Sequence, residues 1–491
     1  MNILSIAAEC APFAKMGGLA DVVSSLTKEW QKSGHTAAVV LPKYRSISEK
    51  LHGLERTDMV LSVPISYWTE YARVWRATLP GSDAPVYFLE NADYFERDGI
   101  YGNPEGFADN DRRFTFLSRA ACELACALGA PVDILHAHDY HAALAIPLAQ
   151  VHYRTHPVFK RTASVYTIHN MAFQGQSDPS RVLDFAGLRP SIFRGSWYEH
   201  DGVMNLMKTG IMFADKITTV SPTYAQEIRW TKNGEGMQEY LSMRSGDLIG
   251  VLNGADYNEW NPEIDKHVSE NYTADTLDRK QLAKNELLLN SLPDHDNTPD
   301  LPLVGMVTRL TAQKGIDLLE RVLEPLLQTG RMRFVILGSG DAAYENYFRR
   351  LGSKYASRAL IRVGYNNALS HSIIAASDYL MVPSLFEPCG LTQLYAMKYG
   401  TVPIVRATGG LRDTVQQYDA NSQTGTGFVF EQYSASALFD TVMQALSVYH
   451  TPHWDVVRKN GMRTDFSSSR SAAEYVRVFE WAAERRQSLI S

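Results

Sequence analysis

Two short stretches of the chain carry residues that could hold an anion. Residues 309–315 place Arg309 and Lys314 in a loop after an apolar run that ends at Val307. Residues 386–393 carry Glu387 and lead through a Pro-Cys-Gly turn into a helical pattern. Open parallel sheets bind ligands beyond the carboxyl ends of their strands, and the first amides of a helix attract anions. We therefore expect the two stretches to form one pocket for the diphosphate of a nucleotide sugar.

The acidic residue of the second stretch needs its own explanation. A carboxylate beside an anion site is costly unless a separate partner satisfies it, and sugar hydroxyls could be that partner for Glu387. A third loop, after the first apolar run, carries Lys15 followed by Gly17 and Gly18. These glycines let the backbone approach a ligand closely, although a glycine turn with a solvated lysine explains the same residues.

The segment 136–141 contains three histidines and an aspartate. On a strand His136 and His138 share one face, so a zinc or iron site with Asp139 is conceivable. No matching acidic or cysteine set recurs elsewhere in the sequence. Polar residues that close the ligand edge of a sheet are the better interpretation.

Two further residues follow predicted strands. His169 ends the run 164–168, where it could face a ligand or bond a neighbouring carbonyl group. Tyr365 follows the run 359–363, where it could stack on a base or serve as a packing residue.

These loops must be positioned by βα units. Short apolar runs alternate with helical patterns along the chain, which predicts parallel sheets. Helices are predicted at Leu19 to Trp30 and Arg113 to Leu128. Strands are predicted at residues 3–8, 37–41, 86–89, 134–137, 164–168, 216–220, 303–307, 334–337, 359–363, 379–382 and 402–405.

The length of 491 residues predicts two or three domains. Asparagine, glycine and proline punctuate residues 251–262, so we place the boundary there. The prediction is an acceptor-side domain at 1–252 and a nucleotide-sugar-binding domain at 253–470, with a last helix at about 471–491 that packs back on the first domain. Residues 290–302 read as a surface loop.

Composition and net charge limit the classes of partner and the cellular compartment that we expect for the chain. The net charge of −6 offers no general attraction for nucleic acid or an anionic membrane. Four scattered cysteines suit a reducing compartment, and no apolar stretch is long enough to cross a bilayer. We expect a cytoplasmic protein, or one of the plastid stroma in a plant or alga, although no transit peptide is visible.

Taken together, the motifs closely resemble those of the bacterial glycogen synthase and plant starch synthase family. The resemblance runs almost end to end. It is carried by residues 15–21, 136–141, 167–170, 252–262, 309–315, 386–393 and 408–414. It implies an α/β fold of two facing Rossmann-like doubly wound domains (GT-B) with the active site in the cleft between them. It also implies transfer of glucose from ADP-glucose to the nonreducing end of an α-1,4-glucan or maltooligosaccharide, with retention, and no cofactor or metal.

The resemblance also assigns roles. Arg309 and Lys314 hold the donor diphosphate, Glu387 binds glucose hydroxyls, and Asp139 and His169 complete the catalytic set. Tyr365 stacks on the donor base. The other donor-binding residues are Lys15, Gly17, Gly18, Asn253, Gly390, Leu391, Thr392, Gly409 and Gly410, of which Leu391, Thr392, Gly409 and Gly410 act through backbone amides. The acceptor-side residues are Asp21, Tyr101 and Tyr140.

Three positions depart from the wider pattern. Met16 stands where threonine is common and Tyr140 where tryptophan is common, which points to a different acceptor preference. Tyr395 stands where the wider superfamily often has a second glutamate, eight residues after the first, and glycogen and starch synthases share the loss of that glutamate. Three alternatives stay open at this point: another retaining transferase, a noncatalytic glucan-binding protein and a metal hydrolase.

Overall fold

The structure is a computed structural model that describes residues 1–102, 105–189, 193–291 and 300–490. The chain divides into unit 1, which comprises Met1–Asn253 and Ser468–Ser491, and unit 2, which comprises Gly254–Ser467. The division therefore falls inside the punctuated segment 251–262. Most of the loop predicted at residues 290–302 lies outside the described residues.

Unit 1 is built on a mostly parallel sheet. Its strands are β1 (Asn2–Ile6), β2 (Thr36–Pro42), β3 (Glu55–Ile65), β4 (Trp68–Thr78), β5 (Pro85–Glu90), β6 (Ile134–His138), β7 (Ala163–Ile168), β8 (Gln176–Ser177), β9 (Glu199–His200), β10 (Val203–Asn205), β11 (Lys216–Thr219) and β12 (Leu248–Gly250). Among the described residues, nine of them form one sheet in the order β12-β11-β7-β6-β1-β2-β5-β4-β3. Strand β4 runs antiparallel to both of its neighbours, β3 and β5, and the other pairs in that sheet are parallel.

The helices of unit 1 connect these strands. They are α1 (Gly18–Lys32), α2 (Glu49–His52), α3 (Ala92–Phe95), α4 (Asn110–Leu128), α5 (Asp139–Ala142), α6 (Ala145–Val151), α7 (Pro179–Val182), α8 (Leu206–Phe213), α9 (Pro222–Trp230) and α10 (Gln238–Met243). The strand order reverses between β1 and β6, so the loops after these two strands open a crevice at the carboxyl edge.

Unit 2 is a doubly wound domain. Its strands are β13 (Leu303–Val307), β14 (Arg333–Gly338), β15 (Ala359–Val363), β16 (Tyr379–Val382), β17 (Val402–Arg406) and β18 (Phe428–Phe430). Its helices are α11 (Lys280–Leu289), α12 (Ile316–Gln328), α13 (Ala342–Lys354), α14 (Asn367–Ala376), α15 (Thr392–Lys398), α16 (Gly409–Thr414), α17 (Ala435–Val448) and α18 (Pro452–Arg463). The described sheet is parallel, in the order β15-β14-β13-β16-β17-β18, which reverses between β13 and β16.

The last helix, α19 (Ser468–Ile490), belongs to unit 1. Its residues Tyr475 and Phe479 pack edge-on against Trp30 of α1, and the Trp30 indole Nε1 donates a hydrogen bond of 3.2 Å to the Ala472 carbonyl. This contact covers an apolar face of the unit 1 sheet that includes Ile3, Val165 and Val251. Burial of aromatic surface, worth about 25 cal/mol per Å², is what holds the helix there.

All eleven predicted strands are present, each within two residues of its predicted bounds. The β3–β4 hairpin was not predicted, because its two strands alternate polar and apolar residues and lack a continuous apolar run. Its connection, Ser66-Tyr67, also lacks the Asn-Gly or Asp-Gly pair that marks a tight turn. No helix within the described ranges is long and apolar enough to cross a membrane.

Candidate functional site

The structure brings the two predicted anion-binding stretches together in unit 2. Strands β13 and β16 are neighbours, so the loops that follow them begin side by side. The Leu385 amide donates a hydrogen bond of 2.9 Å to the Gln313 carbonyl, which joins the loops directly. Gly315 has a φ of +76°, and a Cβ there would lie 2.2 Å from the Pro383 carbonyl oxygen. Only glycine therefore allows the two loops to approach this closely.

The meeting of the loops pairs Lys314 with Glu387. The lysine Nζ lies 2.6 Å from the glutamate Oε2, and the Ser384 hydroxyl donates to the same oxygen at 2.9 Å. Glu387 is buried and Lys314 is mostly buried. The separate partner that the buried carboxylate requires is thus the neighbouring lysine and serine. A lysine ammonium has three N–H donors, so Lys314 can serve Glu387 and a phosphate oxygen together.

Arg309 lies on the same loop with its side chain exposed. Its side chain makes no hydrogen bond or ion pair with any residue that the structure describes, so its guanidinium can meet an incoming anion. Thr311 lies between the two cations. Its hydroxyl is buried and has no protein partner in the described part of the chain, a feature that sequence reasoning missed.

The turn before α15 is closely packed against α16. Cβ atoms at Gly409 and Gly410 would lie 2.0 and 2.3 Å from the carbonyl oxygens of Glu387 and Cys389. The Gly410 amide donates hydrogen bonds of 3.1 Å to the Glu387 and Pro388 carbonyls. In this structure Gly410 therefore packs against the turn, and its amide is already occupied. The amides of Leu391 and Thr392 lie at the start of α15, where a helix has no internal acceptors for them.

Gln393 fixes this turn from inside. Its Nε2 donates to the carbonyls of Cys389 and Gly390 at 3.1 and 2.9 Å, while its buried Oε1 has no partner among the described residues. Gly390 has a φ of +74°, which makes the turn possible. Sequence reasoning did not single out Gln393, which stands directly before the Leu-Tyr-Ala run.

Tyr365 lies at the carboxyl end of β15 and is 77% exposed. It follows Gly364, whose φ is +138°. A tyrosine this exposed contributes little to packing, so the structure favours the interpretation of Tyr365 as a ring available for stacking.

In unit 1 the carboxyl end of β6 presents Asp139. This residue has a φ of +53°, a conformation that costs a non-glycine residue energy and is least costly for Asn and Asp. Its carboxylate accepts the His169 amide at 2.7 Å, which joins the ends of β6 and β7. Burial raises the pKa of Asp139 to about 7, and the charge of Glu9 adds to the rise, while the amides of His169 and Asn170 oppose it.

His169 lies beside this carboxylate. Its Nε2 is 3.0 Å from the Nδ1 of His138, and its own Nδ1 has no partner among the described residues. Burial lowers the pKa of His169 to about 3, so its ring is neutral at physiological pH. A neutral imidazole with one unengaged nitrogen can hydrogen-bond a sugar hydroxyl.

The remaining histidines of this segment contact neighbouring side chains, although one buried ring nitrogen of each has no hydrogen-bond partner among the described residues. The His136 Nε2 lies 2.7 Å from the Thr167 hydroxyl, and His141 stacks against the ring of Tyr101. Across residues 1–102, 105–189, 193–291 and 300–490, no group of three or more His, Cys, Asp or Glu side chains is arranged to hold a metal ion. The segment closes the sheet edge with polar side chains.

Replacing His136 by glutamine is expected to flatten the acid dependence of stability. Burial lowers the pKa values of His136 and His141 to about 3 and that of His138 well below its ordinary value. Below about pH 6.5 these histidines bind protons in the unfolded chain but stay neutral in the folded chain, so folding stability falls as the pH falls. Removing one such group reduces the slope by about 1.4 kcal/mol per pH unit between about pH 6 and 4. Urea unfolding of both proteins at several pH values measures this slope, and equal slopes would contradict the assignment.

The loop after β1 is held by a residue that sequence reasoning missed. The Glu9 carboxylate accepts the amides of Met16 and Gly17 at 2.6 and 3.0 Å and the hydroxyl of Tyr101 at 2.6 Å. The Gly17 amide is therefore occupied here. Lys15 forms an ion pair of 2.7 Å with Asp21. Gly18 opens α1.

A cavity of about 400 Å³ opens in unit 1. Its lining includes Tyr140, which directly follows Asp139 in sequence, and residues 172–176, which come shortly after His169. Tyr140 and Phe173 supply aromatic rings, and amide and carboxylate side chains supply polar atoms. Gly175 has a φ of +63°, and a Cβ there would lie 2.3 Å from the Tyr140 ring. The cavity is lined by Asn110, Asp111, Tyr140, Ala172, Phe173, Gln174, Gly175, Gln176 and Glu235.

Asn253 is the last residue of unit 1 before the division. Its side chain is buried, and its Oδ1 has no hydrogen-bond partner within the described residues. A buried unsatisfied oxygen is costly, so it marks a position where a ligand hydroxyl could bind.

Tyr395 packs inside unit 2. Its ring stacks on Trp260 with centroids 4.0 Å apart, and His371 stacks on the Trp260 ring at 3.7 Å. The tyrosine that replaces a second glutamate is thus a packing residue here.

Comparisons with known proteins show which family the chain resembles. Residues 2–243 match the family described as starch synthase catalytic domain, and residues 291–461 match glycosyl transferases group 1. The chain is 42% identical to glycogen synthase 1 of Geobacter metallireducens, over 99% of this chain and 97% of that protein. It is 41% identical to glycogen synthase of Pseudothermotoga lettingae, over 99% of this chain and 100% of the relative.

A solved structure extends the similarity to three dimensions. The catalytic domain of starch synthase IV from Arabidopsis thaliana, bound to ADP and acarbose, superposes with a TM-score of 0.90 at 34% identity. The match covers 98% of this chain and 99% of that one. The predicted α/β class with Rossmann-like doubly wound domains is confirmed.

Proposed function

The chain belongs to the glycogen and starch synthase family of glycosyltransferases, and on that basis we propose that it transfers glucose from ADP-glucose to the nonreducing end of an α-1,4-glucan with retention of configuration. The family predicted from the sequence motifs is confirmed. The observation that carries the proposal is the meeting of the Arg309–Lys314 loop with the Glu387 loop where the strand order of unit 2 reverses.

Negative charge grows on the donor diphosphate as the glycosidic bond breaks, so the site needs cations that neutralise this charge. Lys314 has donors beyond the one used by Glu387, and Arg309 is exposed with its five N–H groups unengaged within the described chain. Donors aimed at a developing anion typically contribute most to catalysis when they are held in advance. The Glu387 carboxylate holds the lysine in that way, and the same carboxylate can accept glucose hydroxyls.

The transferred glucose gains positive character in the transition state of such reactions. We assign Asp139 to stabilise that charge and the neutral His169 ring to bind a sugar hydroxyl. Retention follows a same-face route in this proposal, with the departing phosphate taking the proton of the acceptor hydroxyl. Lys15, Gly17, Gly18, Asn253, Gly390, Leu391, Thr392, Gly409 and Gly410 stay predictions for the donor.

The acceptor is proposed to enter the cavity of unit 1. Aromatic rings of Tyr140 and Phe173 suit the C–H faces of glucose, and the surrounding amides and carboxylates suit its hydroxyls. The lining carries carboxylates of Asp111 and Glu235, so it favours a neutral chain over a phosphorylated one. Tyr101 and Asp21 stay predictions for this side.

The proposed location is the cytoplasm. None of the four cysteines, all of which lie in the described part of the chain, forms a disulfide bond, which agrees with a reducing compartment.

The function is tested by side-by-side transfer of radiolabelled glucose from ADP-glucose and UDP-glucose onto glycogen and short maltooligosaccharides. We expect efficient transfer from ADP-glucose and α-linked products. Transfer to a small nonglucan acceptor alone, or no transfer from either donor, would reject the proposal.

Tyr365→Ala is expected to raise the KM for the donor about 5- to 100-fold, because a base loses a stacking partner worth roughly 1–3 kcal/mol. The effect on kcat should be small, since the base lies away from the bond that breaks. Tyr365→Phe is the matched control and should behave like the parent. An unchanged donor KM in Tyr365→Ala would show that the ring points elsewhere.

A further inference from the structure

Glu9 is a buried carboxylate to which the proposed reaction assigns no role. It lies three residues beyond the end of β1 and is 3% exposed, and it forms no ion pair with any residue that the structure describes. Within the described chain, three hydrogen-bond donors satisfy it: the amides of Met16 and Gly17 and the hydroxyl of Tyr101. A buried carboxylate is costly unless its hydrogen bonds are made, so the position of Glu9 depends on all three donors.

The two oxygens of Glu9 face different segments of unit 1. One oxygen accepts the amides of Met16 and Gly17, which belong to residues 15–18, here called the lysine loop. The other oxygen accepts the Tyr101 hydroxyl. The Met16 side chain is 62% exposed and Gly17 has no side chain, so neither residue fixes the lysine loop by packing. The Glu9 carboxylate therefore holds the backbone of this loop directly.

Tyr101 is tied to the acceptor cavity by two contacts. Its ring stacks on His141 with centroids 4.8 Å apart, and His141 directly follows Tyr140, a residue of the cavity lining. Its carbonyl accepts the Asn110 Nδ2 at 2.8 Å, and Asn110 also lines the cavity. Arg113 holds Asn110 in turn, because its Nη1 donates to the Asn110 Oδ1 at 2.6 Å. Tyr101 thus joins Glu9 to the wall of the cavity.

We propose that Glu9 is a positioning residue for glucosyl transfer, which fixes the lysine loop for the donor against Tyr101 of the acceptor side. The proposal rests on the proposed function, which assigns Lys15, Gly17 and Gly18 to the donor. Glu9 does not contact the substrate in this scheme. It acts through the lysine loop, and the Tyr101 hydroxyl acts through Glu9.

The charge of Glu9 also reaches Asp139. Among the described groups that shift the pKa of Asp139, the amides of His169 and Asn170 lower it, whereas burial and the Glu9 charge raise it. The His169 ring beside Asp139 is neutral at physiological pH. Burial, with a smaller contribution from the Asp139 charge, raises the pKa values of four neighbouring tyrosines, which are therefore neutral as well: Tyr101, Tyr140, Tyr166 and Tyr224. Removing the Glu9 charge should lower the pKa of Asp139.

Glu9→Gln tests the proposal. An amide side chain has one acceptor oxygen where a carboxylate has two, so the variant cannot accept from both the lysine loop and Tyr101. We expect the KM for ADP-glucose to rise about 3- to 10-fold, the usual range for one lost hydrogen bond, with the KM for maltotriose within about twofold of the parent. The rise of the rate with pH, expected at about pH 7 in the parent, should move to lower pH. A merely structural role would neither separate donor from acceptor nor move the pH profile.

Tyr101→Phe separates the hydrogen bond from the charge. It removes the hydroxyl and keeps the ring that stacks on His141. The KM for ADP-glucose should rise as in Glu9→Gln, whereas the pH profile should stay at that of the parent because Glu9 keeps its charge. The double variant should be no worse than Glu9→Gln alone, since both changes act through one carboxylate. A rise in the KM for maltotriose alone would assign the Tyr101 hydroxyl to the acceptor and overturn the proposal.

Glu123→Gln is the matched control, because Glu123 also accepts a tyrosine hydroxyl in unit 1, that of Tyr153. It should leave both KM values and the pH profile unchanged. An unchanged KM for ADP-glucose in Glu9→Gln, or an unmoved pH profile, would overturn the role of Glu9. If the parent protein transfers no glucose, the proposed function fails, whereas calorimetric titration with ADP still reports on the lysine loop. Weaker ADP binding by Glu9→Gln than by Glu123→Gln then supports the role, and equal binding rejects it.

Discussion

Replacing Lys314 by alanine is expected to lower kcat for glucosyl transfer by about 10²–10³-fold, the usual cost of removing one preorganised group that stabilises a developing anion. The KM for the donor should change less, because the charge on the diphosphate grows as the glycosidic bond breaks. Initial rates at saturating ADP-glucose and glycogen measure this effect. A variant with kcat within a few-fold of the parent would remove Lys314 from the reaction.

The ion pair with Glu387 gives Lys314→Ala a second possible effect, which a double variant can separate from the first. Lys314→Ala strands the buried Glu387 carboxylate with Ser384 alone, which by itself could distort the site. The double variant Lys314→Ala/Glu387→Gln removes the stranded charge. If the lysine acts on the diphosphate, the double variant stays as slow as the single one, whereas recovery would show that the charge imbalance caused the loss.

Lys398 provides a matched control in the same unit. Its side chain is 18% exposed, as is that of Lys314, and it faces a glutamate, Glu263, at 3.9 Å. Lys398→Ala should therefore reproduce the nonspecific effects of deleting a mostly buried lysine and leave kcat close to that of the parent.

Asp139→Asn is the second large effect that we expect, with kcat reduced by about 10²–10³-fold. Asparagine accepts the positive φ of this position and can still take the His169 amide hydrogen bond, so the change removes the charge and little else. Because the pKa of Asp139 is raised to about 7, the parent rate should rise with pH through about 7, and the variant should lack this rise. A variant that keeps the pH rise would assign it to another group.

Stability supplies an independent check on the same carboxyl group. The unfolded chain ionises it near pH 4, whereas the folded chain keeps the proton up to about pH 7, so the parent loses stability from this group as the pH rises through that interval. The stability of Asp139→Asn relative to the parent should therefore increase from about pH 4 to 7. Asp215→Asn is the control for catalysis, because Asp215 is also buried but binds Ser164 at the start of β7.

Patterns among neighbouring residues were sufficient to predict the eleven strands and the family. Buried parallel strands such as β13 and β16 appear in the sequence as continuous apolar runs. The predicted site residues lie in the loops directly after these runs. The roles assigned to the individual site residues stay predictions. The hairpin of β3 and β4 was not predicted, because half of the residues in each strand face solvent. Alternation of polar and apolar residues is a weaker signal for a strand than a continuous apolar run.

The sequence by itself determined the strand-forming runs, the glycines of the tight loops and the motifs of the family, because each depends on neighbours along the chain. Only the tertiary structure decided that Glu387 pairs with Lys314, that Glu9 accepts the Gly17 amide, and which apolar face of the unit 1 sheet α19 covers. These contacts join segments far apart in sequence. Strand order and packing set their distances, and a hydrogen bond or ion pair forms only when those distances close to about 3 Å.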